Sequence, residues 1–239
     1  MMNIFLKLIF VCMAFFAMNV SAQENQSWQF DFRTDIYSRH LWRGHQLGDA
    51  PAIEPEITLS KRNFGFSIWA ATTFNNSYNE IDIILIYQVL PFLNISFYDY
   101  YNPLSDAENK FWKYKSDEMR HSLELKADFE KDKFPLTLLA GVFIYGDKDS
   151  IDSSERFSTY IEPAYNFKIA EKDFRLFAGF SPFSGYYAGN FAFINVGATF
   201  YNSFAITEKL ELPAELTFCT SPTTNQSWFV VGIGIKNRE

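Results

Sequence analysis

One feature constrains this chain more than any other. Nearly all of it after the first two dozen residues alternates apolar and polar side chains, in segments of about ten residues separated by polar breaks. Trp28, Phe30, Phe32, Thr34 and Ile36 fall on one face, and Gln29, Asp31, Arg33, Asp35 and Tyr37 on the other. A period of two places successive side chains on opposite faces of a β-strand, whereas a helix would require a period near 3.6. The same alternation sets Ile53, Pro55, Ile57 and Leu59 against Glu54, Glu56, Thr58 and Ser60, and Ile81, Ile83, Leu85 and Tyr87 against Glu80, Asp82 and Gln88. It recurs around Leu123–Phe129, Phe157–Asn166, Phe174–Phe180, Leu210–Phe218 and Phe229–Lys236. Weaker versions at 64–73, 92–101, 134–146 and 190–206 bring the expected number of strands to twelve.

The breaks are of two kinds, and the kinds alternate along the chain. Lys61–Asn63, Val89–Pro91, Glu130–Lys133, Glu171–Asp173 and Thr207–Lys209 are short and mostly charged. Gly44–Ala50, Phe74–Asn79, Asn102–Asp117, Asp147–Glu155, Ser184–Gly189 and Thr220–Gln226 are longer and richer in Asn, Ser, Gly and Tyr. An even number of strands with short turns at one end and long loops at the other predicts an all-β chain. It forms a single antiparallel up-and-down transmembrane barrel, with short periplasmic turns and longer extracellular loops.

A soluble sandwich or lipocalin-like barrel also alternates, but buries its apolar face inward. Three observations favour lipid. The apolar faces of twelve strands exceed what a core of this size needs. Aromatics gather near strand ends (Trp28, Trp42, Phe64, Tyr98, Tyr100, Tyr101, Phe174, Phe191, Trp228), as interfacial girdles do. No acidic or basic residue falls on the apolar faces assigned above, where a basic residue at mid-bilayer would cost about 2–4 kcal/mol.

Residues 1–22 read as a cleaved signal peptide. Lys7 precedes an apolar run from Leu8 to Met18, and Val20-Ser21-Ala22 supplies the small residues a signal peptidase requires. The barrel domain is then 23–239. Past the signal, no continuous apolar stretch is long enough for a membrane-spanning helix. Cleavage removes Cys12 and leaves Cys219 as the one cysteine, which excludes an intramolecular disulfide and cysteine-based zinc sites. A net charge of −7 gives no basic footprint for nucleic acid.

If the polar faces point inward, the lumen carries Asp31, Asp35, Glu54, Glu56, Asp82, Glu124, Asp128, Glu162, Glu211 and Glu215 against Arg33, Arg39, Arg120, Lys126 and Arg175. This excess of acid predicts a mild preference for cations or neutral solutes. Cross-lumen pairing of the same charges would instead fill the bore, and both readings stand together for a narrow, partly occluded pore. Arg39 and Arg43 sit where the first strand meets the first long loop. They form a constriction or an anion contact or, more simply, Arg43 bonds loop carbonyls or a lipid phosphate.

The stretch Tyr37-Ser38-Arg39, Trp42-Arg43-Gly44 and Gly48-Asp49-Ala50-Pro51-Ala52-Ile53 resembles the opening of the TorF-like porin family and related small outer-membrane barrels of Gram-negative bacteria. Gly65–Ala70 and Glu80-Ile81-Asp82 fall where that family has its next strands, and the hairpin from Leu210 to Ile235 is similar in style. The aromatic-rich, Gly-poor composition points to a Bacteroidota-like source. The resemblance implies outer-membrane lipid and the barrel-assembly machinery as partners, and small polar solutes as cargo. The ending Ile235-Lys236-Asn237-Arg238-Glu239 departs from the terminal aromatic common in such barrels, so recognition would use the internal Trp228-Phe229.

Catalytic patterns are thin. His121 and Ser122 are neighbours on a strand and point to opposite faces. The acids Asp99, Asp106, Asp117 and Glu118 lie near His121 at a loop end, where solvated loop acids explain them more simply than a protease does. No phosphate-binding loop is present, no cofactor or metal is expected, and His40 with His45 is too little to define a metal site. The expected function is a channel for small polar solutes and not an enzyme. An outer-membrane lipid-modifying enzyme and a structural barrel with no open pore remain as alternatives.

Overall fold

A computed structural model of the chain describes residues 27–103, 108–114, 120–149, 151 and 153–238. The expected signal segment 1–22 lies outside the described residues, as do Asp106, Asp117 and Glu118. Among the described residues no helix is long and apolar enough to cross a membrane.

The strands are β1 (Gln29–Tyr37), β2 (His40–Trp42), β3 (His45–Leu47), β4 (Ala52–Lys61), β5 (Phe64–Thr73), β6 (Asn79–Leu90) and β7 (Leu93–Tyr101). They continue as β8 (His121–Phe129), β9 (Leu136–Tyr145), β10 (Thr159–Ile169), β11 (Lys172–Ser181), β12 (Ala192–Ala205), β13 (Leu210–Ser221) and β14 (Gln226–Asn237). β1 and β4 to β14 pair antiparallel with their sequence neighbours, and β1 pairs β14, so twelve strands close into one barrel. Closure leaves no unpaired strand edge, the condition for crossing a bilayer with strands.

The pleat sorts the side chains as the alternation predicts. Ile57, Leu85, Leu125, Leu176, Phe218 and Ile233 are among many large apolar residues exposed on the outside. Glu54, Asp82, Glu124 and Glu162 are buried within. A water-soluble barrel would show the reverse. Four of the expected girdle aromatics depart from this sorting. Tyr98 and Tyr100 share the inward face of β7 and pack with Trp42, and Trp228 faces inward to donate its indole N–H to Gln46 Oε1 at 3.1 Å.

β7 also places Asp99 outward, since it pairs with the outward Ile83. His121, the partner of Tyr101, faces outward too. The segment 108–114 folds over them. His121 Nδ1 lies 2.7 Å from Asp99 Oδ1, the Tyr114 hydroxyl donates to Asp99 Oδ2 at 2.6 Å, and the Phe111 carbonyl bonds His121 Nε2. The ring of Tyr114 stacks on His121 at 4.1 Å. Burial first, then the hydrogen bond to Asp99, pushes the Tyr114 phenol up to about 12, so it stays a donor. A polar pair on the lipid side of the wall is thus covered by its own loop.

The seam between β1 and β14 runs from Arg33↔Lys236 to Tyr37↔Gly232. Beyond it the Asn237 side chain takes over, accepting the Phe32 N–H at 2.9 Å and donating to Asp31 Oδ1 at 2.7 Å.

Candidate functional site

The first long break does not loop outward. It folds into β2 and β3, a hairpin paired His40↔Leu47, Leu41↔Gln46 and Trp42↔His45. Its two turn residues, Arg43 and Gly44, both have positive φ (48° and 77°). That is the signature of the type I′ turn, whose twist matches two-residue hairpins. The usual sequence marker is Asn-Gly or Asp-Gly, and an Arg in the first position hides it.

The hairpin crosses the lumen at the long-loop end and touches the far wall. A Cβ on Gly44 would lie 2.1 Å from the Ile194 carbonyl oxygen on β12, so only glycine fits the tip. Arg43 reaches β8, donating through both terminal nitrogens to Glu124 at 2.6 and 2.8 Å, and to the Tyr187 hydroxyl at 2.5 Å. Its guanidinium stacks 4.7 Å from Trp42 and 4.6 Å from Tyr160. Glu124 is fully buried and also accepts the Tyr100 hydroxyl at 2.6 Å. Gly141 on β9 leaves the room, because a Cβ there would stand 2.3 Å from Glu124 Oε1. A fork-to-fork pair in a dry setting has most of its donors and acceptors met, the condition under which a buried pair is tolerated.

The near side of the hairpin is tied as firmly. His40 Nδ1 lies 2.7 Å from Glu54 Oε1, and its ring stacks on Tyr78 and meets Trp69 at a tilt. Arg39 donates to the Asp49 carbonyl at 2.8 Å, while Asn75 donates to the Asp49 carboxylate at 2.6 Å. Hydrogen bonds from Asn75 and Ser77 hold the exposed Asp49 carboxyl below its ordinary range. His45, on the inner hairpin, has its pKa lowered by burial and is neutral at pH 7.

The hairpin divides the bore. Toward the long loops lies a vestibule of about 370 Å³, and beneath the hairpin a chamber of about 390 Å³. Trp42, Glu80 and Tyr100 line both, so they form the septum. Further down, Glu162 accepts Arg175 at 2.7 Å, the Tyr160 hydroxyl and the Asn195 amide. The short-turn end is wider, with cavities of about 430 and 650 Å³ lined by Arg33, Glu215, Arg175 and Tyr201 among others.

The pairing registers put the residues assigned to the lumen as follows. Asp31, Arg33 and Asp35 lie on the inward face of β1, Glu54 and Glu56 on that of β4, and Asp82 on that of β6. Glu124 and Lys126 occupy β8, Glu162 β10, Arg175 β11 and Glu215 β13. The fold brings Glu54, Glu56, Asp82, Lys126 and Glu162 around one chamber, with Glu124 held by Arg43 of the hairpin. Arg33 and Asp35 form an ion pair at the open end. Arg120 is exposed just before β8. Arg39 donates to the Asp49 carbonyl. The simpler sequence reading of Arg43, in a loop or at a lipid phosphate, is overturned by its pairing with Glu124. His40, Trp42, Glu80, Tyr98, Tyr100, Tyr160 and Tyr187 were not singled out as site residues. For the two β7 tyrosines the signal was present, since they share a polar strand face.

No protein-family model and no curated protein matches the chain. Several solved structures share its fold. A KdgM porin in complex with disordered oligogalacturonate superposes with a TM-score of 0.50 at 8% identity, covering 89% of this chain and 99% of that one. The NanC porin gives 0.46 at 14% identity over 88% and 100%, and an outer membrane channel from Pseudomonas putida F1 gives 0.44 at 10% over 92% and 99%. These structural neighbours are outer-membrane porins and channels, and at such low identities the likeness is one of fold.

Proposed function

We propose that the chain is an outer-membrane channel of porin type, narrowed by its internal hairpin, that passes or binds small polar solutes through an acidic lumen. One observation carries this reading. A closed cylinder with a greasy exterior holds charged, roomy spaces above and below a single septum of Trp42, Glu80 and Tyr100. A barrel built only as a membrane scaffold has no need for cavities of several hundred Å³ lined with carboxylates. The short-turn end then faces the periplasm and the long loops face outward, in keeping with a signal peptide ending at Ala22. The TorF-like resemblance and a Bacteroidota-like source belong to the same reading, as do outer-membrane lipid and the barrel-assembly machinery as partners.

The lipid-modifying alternative gains nothing from His121. Both its ring nitrogens are engaged, by Asp99 and by the Phe111 carbonyl, and Ser122 faces the vestibule on the other side of the wall. Single-channel recording of the purified barrel in planar bilayers tests the proposal. Small, cation-preferring conductance steps are expected. A folded barrel that inserts and passes no current leaves the structural reading in its place.

A further inference from the structure

We infer that the chamber beneath the hairpin is a binding site for a small organic cation, an amine or a guanidinium, held by Glu56, Glu80 and Asp82 against the aromatic faces of Trp69, Tyr98 and Tyr100. The inference rests on the channel reading only for the route by which the cation arrives.

The starting point is an imbalance of partners. Glu124 has Arg43, Glu162 has Arg175, and Glu54 has His40. Lys126, the remaining base on the chamber wall, points its Nζ at the Tyr98 hydroxyl at 2.8 Å and at Asp128 at 3.5 Å. Among the described residues, neither Lys nor Arg forms an ion pair with Glu56, Glu80 or Asp82. Glu56 accepts the Ser67 hydroxyl at 2.7 Å. Glu80 accepts the Tyr78 hydroxyl at 2.8 Å and lies 3.9 Å from His40 Nε2. Asp82 is 4% exposed, lines the chamber, and its Oδ1 has no hydrogen-bond partner. His40 Nε2, also buried on this wall, has none either.

Burying an unpaired carboxylate carries a penalty of several kcal/mol, far more than a surface charge. Three of them on β4 and β6, the strands either side of β5, would repel one another unless a proton or a positive charge enters the space they share. The space suits a particular kind of cation. Among the described residues, no group of His, Cys, Asp and Glu converges closely enough to hold a metal ion. The negative charge is spread along a wall instead. Aromatic rings stand on the same stretch of wall, Trp69 on β5 between the acids and Tyr98 and Tyr100 on β7, and π faces attract a diffuse ammonium or guanidinium charge, as the Lys126 ammonium 4.5 Å over Tyr98 illustrates. A volume of about 390 Å³ is that of a small-ligand pocket and much larger than a bare ion requires.

The test uses the full-length barrel, folded in detergent micelles, with putrescine as the probe and butanediol and succinate as uncharged and anionic controls of similar length. Calorimetric titration and quenching of Trp42 and Trp69 fluorescence should show saturable putrescine binding, with neither control binding. Putrescine should also raise the thermal unfolding temperature, as any ligand of the folded state does. Asp82→Asn keeps the shape and removes the charge, and should weaken binding roughly tenfold or more, since one charge-assisted contact is lost. Glu56→Gln, two strands away on β4, should act in the same direction and serves if Asp82→Asn does not fold. Glu211→Gln, at the short-turn mouth, should leave binding unchanged. Absence of putrescine binding, or equal binding by wild type and both chamber variants, overturns the inference. A barrel that conducts ions yet ignores putrescine refutes the site and leaves the channel; one that binds putrescine yet never conducts refutes the channel and leaves the site.

Discussion

The two halves of the bore are built from the same alternating strands and differ in what fills them. At the long-loop end a hairpin from one wall crosses to the other, and its Arg43 is buried against Glu124, Tyr160 and Tyr187. At the short-turn end Arg33 pairs with a buried Asp35 beside a wide cavity, with its own side chain 38% exposed. Of the two inward Arg–carboxylate pairs, one is closed off on both sides and the other opens to the bore through its arginine. Charge count alone does not make a constriction. An inserted element that excludes water does, and it turns the same residue types from solvated lining into fixed structure.

The largest effect should come from removing the inserted element. Replacing residues 40–47 with a short Gly-Ser bridge merges vestibule and chamber, and single-channel conductance should rise severalfold; an unchanged conductance would place the narrowest point elsewhere. Next, Arg43→Ala strands the carboxylate of Glu124, and breaking a buried pair from one side costs about 3 kcal/mol. Urea unfolding of the barrel in phospholipid vesicles should record that loss, and pairing the change with Glu124→Leu should recover much of it. The equivalent change at the open end, Arg33→Ala, should cost less than Arg43→Ala, because solvent reaches the guanidinium of that pair. Its signature is a reversal potential shifted toward stronger cation preference in a salt gradient. Equal destabilisation by Arg43→Ala and Arg33→Ala would erase the contrast between the halves.

The smallest effect concerns His45. Its folded pKa lies below the ordinary 6.5 because burial disfavours the charged ring. The unfolded chain therefore binds the proton first. The hairpin's seat is at full strength above pH 6.5, weakens as pH falls from there toward the lowered value, and levels off below it. Since the ring is only partly buried, the expected readout is a modest rise in channel noise on acidification, absent in His45→Gln.

Much of the wall was legible in the sequence because lipid outside and polar lumen inside enforce a period of two. A single slipped residue would turn Ile57 inward and Glu56 into hydrocarbon. The hairpin was not legible. His40–Leu47 is too short for periodicity to separate strand from loop, and Arg43-Gly44 lacks the usual turn residues. Aromatics misled for a related reason. Tyr100 and Trp42 look like interfacial anchors near strand ends, but what places them inward is strand parity and the hairpin's path, not position along the strand. Asp99 reads as a solvated loop acid because its cover, Phe111 and Tyr114, comes from a loop more than ten residues away. The partnerless Asp82 could not be read at all, since a missing counter-charge is a property of three dimensions.

The clasp at Asn237 has a kinetic corollary. Its side chain joins Phe32 and Asp31 across 205 and 206 positions of chain. Every other seam in the cylinder links neighbours in sequence and can zip locally, while this one must wait until the whole ribbon has curled round. Sealing is accordingly the slow, entropically dear event of biogenesis, and swapping Asn237 for Ala should lengthen the life of an open, leaky intermediate more than it alters the finished article.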